Sequence, residues 1–192
     1  MAHRSNARNK VIEWANALLR HDDWVILDVE TSGLGRTAEI VQIGVLAPDG
    51  AVLLDQMLKP SRPIPAAAHA VHGISDADVA DAPRFAEVYD KLLALLSAKR
   101  IIAYNADFDR RMIEQEHRRI NHLIAPPPAH LWECAMLQYA AFYGDWNRNR
   151  GSFRWQKLTN ACHQQNIPVA DAHAAVGDCK LTLALIRAMA NG

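Results

Sequence analysis

Apolar residues recur along this chain first at helical and then at strand-like spacing. From about residue 6 to residue 20 they fall on one helical face, with Val11, Ile12, Trp14, Ala15, Leu18 and Leu19 together. WVILDV (24–29) follows as a run of large, branched apolar residues closed by the turn residues TSGLG, which predicts a buried strand. EIVQIGVLA (39–47) and AVLLDQML (51–58) predict two more strands, and the PDG between them predicts a tight hairpin. The first three strands are therefore expected to form an antiparallel meander.

KPSRPIPAA (59–67) is a connection punctuated by proline, leading to a short turn at HAVHGIS (69–75), where Ser75 is placed to cap the next helical turn. Pro83 is suited to the first turn of a helix, and residues 85–98 carry a helical apolar period. IIAYN (101–105) predicts a short strand and residues 108–120 a helix. APPPAH (125–130) breaks the chain. Helical patterns return at 135–143, 156–165 and 174–190, the first two joined by a polar loop, GDWNRNRGS. A meander followed by alternating strands and helices predicts a mixed α/β sheet flanked by helices. The expected division is an N-terminal helical extension, residues 1–22, and one main domain, residues 23–192.

Composition narrows the class. The chain has 192 residues, 50% of them hydrophobic and 22% charged, as in a soluble globular domain. Lys+Arg and Asp+Glu each number 21. Zero net charge argues against binding nucleic acid through a strong overall positive field, but allows a site where bound cations attract phosphates. Cys134, Cys162 and Cys179 are far apart and odd in number, which argues against a disulfide framework or a zinc site. No signal-type stretch follows the polar N-terminus and no run is long enough to span a bilayer, so a cytoplasmic protein without a membrane partner is expected.

Three stretches carry candidate chemistry. In ILDVETSGLG, Asp28 and Glu30 are two apart on a strand and share a face. Two carboxylates at the end of an apolar strand repel each other unless a cation neutralises them, and hard oxygen donors suit Mg²⁺ or Mn²⁺. Two solvated acids at a strand end fit the residues equally well. In YNADFDRRM, Asp107 and Asp109 stand where a helix begins, and either acid would also suit the positive helix end. In DAHAAVGDCKLTLALI, Asp178 lies inside an apolar helical pattern, where an acid is costly without compensation. His173, five residues earlier, has the titration range of a general base, or else simply precedes the helix.

Taken together these motifs resemble the DnaQ-like DEDDh exonucleases, which include polymerase proofreading subunits, ribonuclease T and oligoribonuclease. The first motif matches as Asp28-Val29-Glu30-Thr31-Ser32-Gly33-Leu34, and the second as Asn105-Ala106-Asp107-Phe108-Asp109. The third matches as His173 followed by Asp178, and HAVHGIS resembles the family's stretch between the first two. The similarity runs from about residue 24 to residue 189. It implies a ribonuclease H-like fold with a mixed five-stranded sheet, and 3′-5′ exonuclease activity by two-metal phosphodiester hydrolysis. Asp28, Glu30, Asp109 and Asp178 would hold two divalent ions, Mg²⁺ or Mn²⁺, and His173 would take the proton from the attacking water. Thr31, Gly33, Leu34, His72 and Asn105 would contact the terminal nucleotide. The implied partner is nucleic acid with a free 3′ end, single-stranded DNA first among the options, and a polymerase partner is compatible with the family.

Three other readings compete. An exoribonuclease shares all the motifs. A non-catalytic nucleic-acid-binding or polymerase-associated module would use the same fold, although a silent site has no use for clustered acids. A zinc hydrolase is disfavoured because no HExxH or Cys/His pair has ligand spacing. Phe108 is expected in the core. In residues 144–155, Arg148, Arg150 and Arg154 interleave with Trp146, Phe153 and Trp155, a pattern that suits either a solvated loop or a track for a single strand.

Overall fold

The computed structural model describes residues 2–169 and 173–192. The central sheet is built from β1 (Trp24–Thr31), β2 (Ile40–Leu46), β3 (Val52–Met57), β4 (Arg100–Ala103) and β5 (Trp132–Cys134). Its strand order is β3-β2-β1-β4-β5. β1 pairs antiparallel with β2 and β2 with β3, so the meander forms as the three apolar runs and the PDG hairpin predict. β4 then joins parallel to β1, and β5 parallel to β4. The expected mixed five-stranded sheet is therefore present.

Alternating side chains divide the core into two layers. On one face Trp24, Ile26, Leu46 and Ile102 pack against α1 (Ala2–Leu19), α5 (Ala135–Tyr143), α6 (Leu158–Gln164) and α7 (Ala175–Asn191). On the other, Val25, Leu27, Val29, Ile43, Val45 and Ile101 pack against α3 (Phe85–Leu96) and α4 (Ala106–Ile120). Val11, Ala15 and Leu18 of α1 are fully enclosed in the first layer, so this helix is held by its apolar face rather than left in solvent. No helix among the described residues is long and apolar enough to cross a membrane.

The structure departs from the sequence pattern in four places. The segment read as a turn at 69–75 contains the end of a helix, α2 (Ala66–His72), which Gly73 closes in the left-handed conformation. Pro83 lies outside α3. Its N-cap is Arg84, whose backbone N–H donates to the Glu87 carboxylate at 2.7 Å. β5 is only three residues long, too short for periodicity to show. The polar loop holds a small hairpin of β6 (Trp146–Asn147) and β7 (Ser152–Phe153).

Candidate active site

Asp28 and Glu30 lie on the C-terminal half of β1, on the face that receives α7. In the β1–β2 ladder Asp28 is opposite Gly44, and Glu30 is opposite Gln42. These two β2 residues bring α7 close. A Cβ on Gly44 would lie 2.7 Å from both the Ala175 carbonyl carbon and the Val176 nitrogen, so the helix backbone occupies the space a side chain would need. Gln42 is buried and accepts a hydrogen bond from the Ala175 N–H at 3.1 Å, pairing one of the free donors at the helix start. Its amide nitrogen donates in turn to Asp55 at 2.9 Å. Asp178, in the first turn of α7, is thereby delivered to the β1 acids. One ligand atom each from Asp28, Glu30 and Asp178 lies within 4.8 Å of the others.

Asp109 comes from α4, in the opposite layer. It is 2% exposed, and its Oδ1 accepts the Val29 N–H at 3.2 Å. β4 has ended before this point, so the β1 backbone donor would otherwise have no partner there. Asp109 stands beside the three-carboxylate group rather than inside it.

The four acids share an unresolved excess of negative charge. Burial pushes Asp28 well up from the usual carboxylate range, and Asp109, Asp178 and Glu30 add repulsion. Burial, then Asp178, raises Glu30 to about 7. Asp109 is also driven up by burial, against the pull of the backbone N–H groups it accepts. Asp178 is raised by burial, partly offset by its hydrogen bond from the His173 backbone and by the nearness of His173. Among the described residues no lysine or arginine pairs with any of these acids. Clustered oxygen donors with no basic partner match a site for hard divalent cations.

His173 is exposed, just ahead of α7, with a left-handed backbone, φ 68°. Its N–H donates to Asp178 Oδ1 at 3.2 Å, so it meets the cluster through its main chain. Asp171 and Ala172, which open the same sequence stretch, lie outside the described residues. Asp107 stands in the first turn of α4, at the positive helix end open to it in the sequence, where it points to solvent and pairs with Arg110 at 3.4 Å.

Beside Glu30 runs a largely apolar groove of about 520 Å³, whose lining includes Thr31, Gly33, Leu34, His72 and Phe108. The Thr31 hydroxyl donates to the Gly33 carbonyl at 2.7 Å and so shapes the loop after β1. Leu34 is 79% exposed, far from a core position. The Ile74 N–H donates to His72 Nδ1 at 3.0 Å, which leaves the proton of a neutral ring on Nε2. That Nε2 is buried and has no partner in hydrogen-bond geometry among the described residues; burial lowers the pKa of the ring, against the Thr31 backbone, which favours the charged form. Phe108 packs partly on the core and partly on the groove. Asn105 is the exposed N-cap of α4, in the left-handed region, and is not part of the groove lining. The sequence pattern did not single out Gln42 or Gly44. The one available signal was a polar residue and a glycine inside an otherwise apolar strand.

Comparison with known proteins agrees with this geometry. The RNase T exonuclease family model matches residues 25–186. The uncharacterized exonuclease CP81 of Escherichia phage 186 is 36% identical over 179 residues, covering 89% of this chain and 90% of the phage protein. Exodeoxyribonuclease 10 of Escherichia coli K12 is 31% identical, over 84% of this chain and 66% of its own length. Among solved structures, exonuclease X in complex with 5′-overhanging duplex DNA superposes with a TM-score of 0.62 at 27% identity, over 88% of this chain and 92% of that one. E. coli exonuclease I, solved with a dT13 oligonucleotide, gives 0.69 at 17% identity over 85% of this chain and 40% of its own, which speaks for a shared ribonuclease H-like fold. The chain belongs to the RNase T exonuclease family, the DnaQ-like nucleases that act on nucleic acid.

Proposed function

We propose that this exonuclease removes nucleotides one at a time from the 3′ end of nucleic acid, with single-stranded DNA as its first substrate. The observation that carries the proposal is the meeting of Asp28 and Glu30 with Asp178, from a distant stretch of sequence, within 4.8 Å and with no lysine or arginine paired to them among the described residues. Asp28, Glu30 and Asp178 would hold one divalent ion, and Asp28, supported by Asp109, a second. When bound, two Mg²⁺ or Mn²⁺ ions would neutralise the phosphodiester and make water a stronger nucleophile.

The remaining steps belong to the chain itself. The groove beside Glu30 accepts the terminal nucleotide, with Leu34 and Phe108 against the base. His72 Nε2–H is a buried donor with no acceptor in hydrogen-bond geometry among the described residues, the Thr31 backbone being the protein group that favours its charged form, and a sugar or phosphate oxygen would complete its pairing. The loop after β1, braced by Thr31, fixes the end of the strand. The His173 main chain is engaged with Asp178, so its exposed ring is the part left to take a proton from the attacking water. DNA as substrate is supported by the likeness to exodeoxyribonuclease 10 and to exonuclease X, although an exoribonuclease would carry the same motifs.

The test uses 5′-labelled single-stranded DNA, 5′-overhanging duplex DNA and RNA, each with Mg²⁺, Mn²⁺ or chelator. Labelled strands shortening stepwise in a metal-dependent ladder, fastest on single-stranded DNA, are expected. Early release of the label as a mononucleotide would overturn the polarity. Cleavage in chelator would overturn the metal requirement, and preferential loss of RNA would make the enzyme an exoribonuclease.

A further inference from the structure

We infer that the β6–β7 hairpin and the segment after it form a second contact for nucleic acid, stacking a base on Trp155 and holding the backbone with Arg148, Arg150 and Arg154. This inference rests on the exonuclease reading. It adds a site for the part of a single strand lying upstream of the terminal nucleotide.

The three aromatic residues of this segment are not equivalent. Trp146 and Phe153 are cross-strand partners, their rings edge to face at 5.0 Å, so they build the hairpin. Trp155 remains 67% exposed. A large ring left in water beside a groove of about 550 Å³, whose walls include Arg150, Phe153 and Arg154, is a stacking platform without its partner. Charge is concentrated here as well. Arg148, Arg150, Arg154 and Lys157 all face solvent, and Asp145 is the one acid between residues 145 and 157, in a chain whose net charge is zero. Among the described residues the Asp145 carboxylate pairs only with Arg154, at 3.5 Å. A single polynucleotide strand, polyanionic and with flat bases, complements both features.

The patch is also firmly anchored. The Arg154 N–H donates to the Asp145 carbonyl at 2.8 Å and closes the base of the hairpin. The Tyr104 hydroxyl donates to the Gln156 carbonyl at 2.8 Å. Gln164 bridges the Gln156 side chain at 3.2 Å and the Tyr139 hydroxyl at 3.0 Å. Tyr104 immediately follows β4, which runs parallel to β1 and so leaves the sheet at the same C-terminal end as Asp28 and Glu30. A strand whose end sits among the carboxylates therefore meets, at the same end of the sheet, a basic and aromatic surface held by hydrogen bonds.

Two measurements test this contact. The first is equilibrium binding of a fluorescent single strand of about 12 nucleotides in chelator, where turnover is blocked; the length lies within the span such sites cover. Trp155→Ala should weaken binding by roughly 5- to 100-fold, the scale of losing one stacked base, and Trp155→Phe should restore most of it. Arg148→Ala with Arg150→Ala should flatten the dependence of log affinity on log salt by about 1.4, near 0.7 for each cation removed. The second is hydrolysis with Mg²⁺. Trp155→Ala should raise KM for the long strand and leave a dinucleotide unaffected. Equal binding by wild type and Trp155→Ala, or equal losses on both substrates, would overturn the contact. Binding that depends on Trp155 in a protein that cleaves neither substrate would sink the exonuclease reading and leave the contact standing.

Discussion

Gly44 lies directly across the β1–β2 ladder from Asp28, and the absence of its side chain lets the start of α7 rest on the sheet. The spacing between Asp28 and Asp178 thus depends on a hydrogen atom in a neighbouring strand. Gly44→Ala would place a Cβ 2.7 Å from helix backbone, so the helix must move. A loss of about 1–3 kcal/mol in stability is expected from the overpacking. Turnover should fall about 100-fold if the acids separate by about 1 Å. Calorimetry and single-strand hydrolysis read the two effects, and a variant equal to wild type in both would contradict them.

Gln42 holds the same helix by polar contacts. Gln42→Leu would leave the Ala175 N–H without its acceptor in a buried setting, at a cost of about 1–3 kcal/mol. Asp55, on the exposed side, can turn to water. The variant should melt earlier and bind Mn²⁺ more weakly, because the Asp178 position loosens. Manganese titration followed by electron paramagnetic resonance measures that affinity, and an unchanged value would remove Gln42 from the account.

Asp109 serves two purposes that substitution can separate. Asp109→Asn keeps an oxygen for the Val29 N–H and removes a charge, so the fold should be as stable as wild type or more so when no metal is bound. Its turnover should fall by about 100-fold or more, the scale of one electrostatic contact at a reacting centre. Asp109→Ala should lose stability as well, by about 1–3 kcal/mol, through the unpaired donor. Chemical denaturation of both variants distinguishes the two roles.

The raised carboxyl groups set a pH dependence of stability. Glu30 rises from an ordinary 4.5 to about 7 in the fold, through burial and then Asp178, and Asp28 and Asp109 shift in the same direction. The folded state therefore holds these protons more tightly than the unfolded chain. Their contribution is fully present below the unfolded values and is lost as pH rises through the folded ones. In chelator, the melting temperature should fall between about pH 5 and pH 8. Mg²⁺ should raise it strongly near pH 8 and little near pH 5, since ions and protons compete for the same oxygens. A magnesium effect that is equal at both ends of that range would contradict this.

Much of the fold was legible in the chain because burial leaves a trace in it. β1 and β2 show it as continuous apolar runs, and α3 and α4 as a helical period, with their apolar faces toward the sheet. β5 left none, since Trp132–Cys134 is half-buried throughout and stands at the end of the sheet as a partner of β4. The β6–β7 hairpin was hidden by its polar sequence, because one cross-strand aromatic pair rather than a buried face defines it. The four acids could be named by motif, and Thr31, Gly33, Leu34 and His72 line one groove, while Asn105 is not among its lining residues. Gln42 and Gly44 could not be found that way. Their importance comes from what lies across the ladder and above the sheet, which is a property of three-dimensional contact.

The most direct test is Asp28→Asn, assayed on 5′-labelled single-stranded DNA with Mg²⁺ and compared by circular dichroism with wild type. Asp28 is the acid that every other member of the cluster faces, and Asn keeps its shape while removing its charge. An unchanged fold with hydrolysis abolished is the expected result. Stepwise shortening of the strand at the wild-type rate would show that catalysis lies elsewhere.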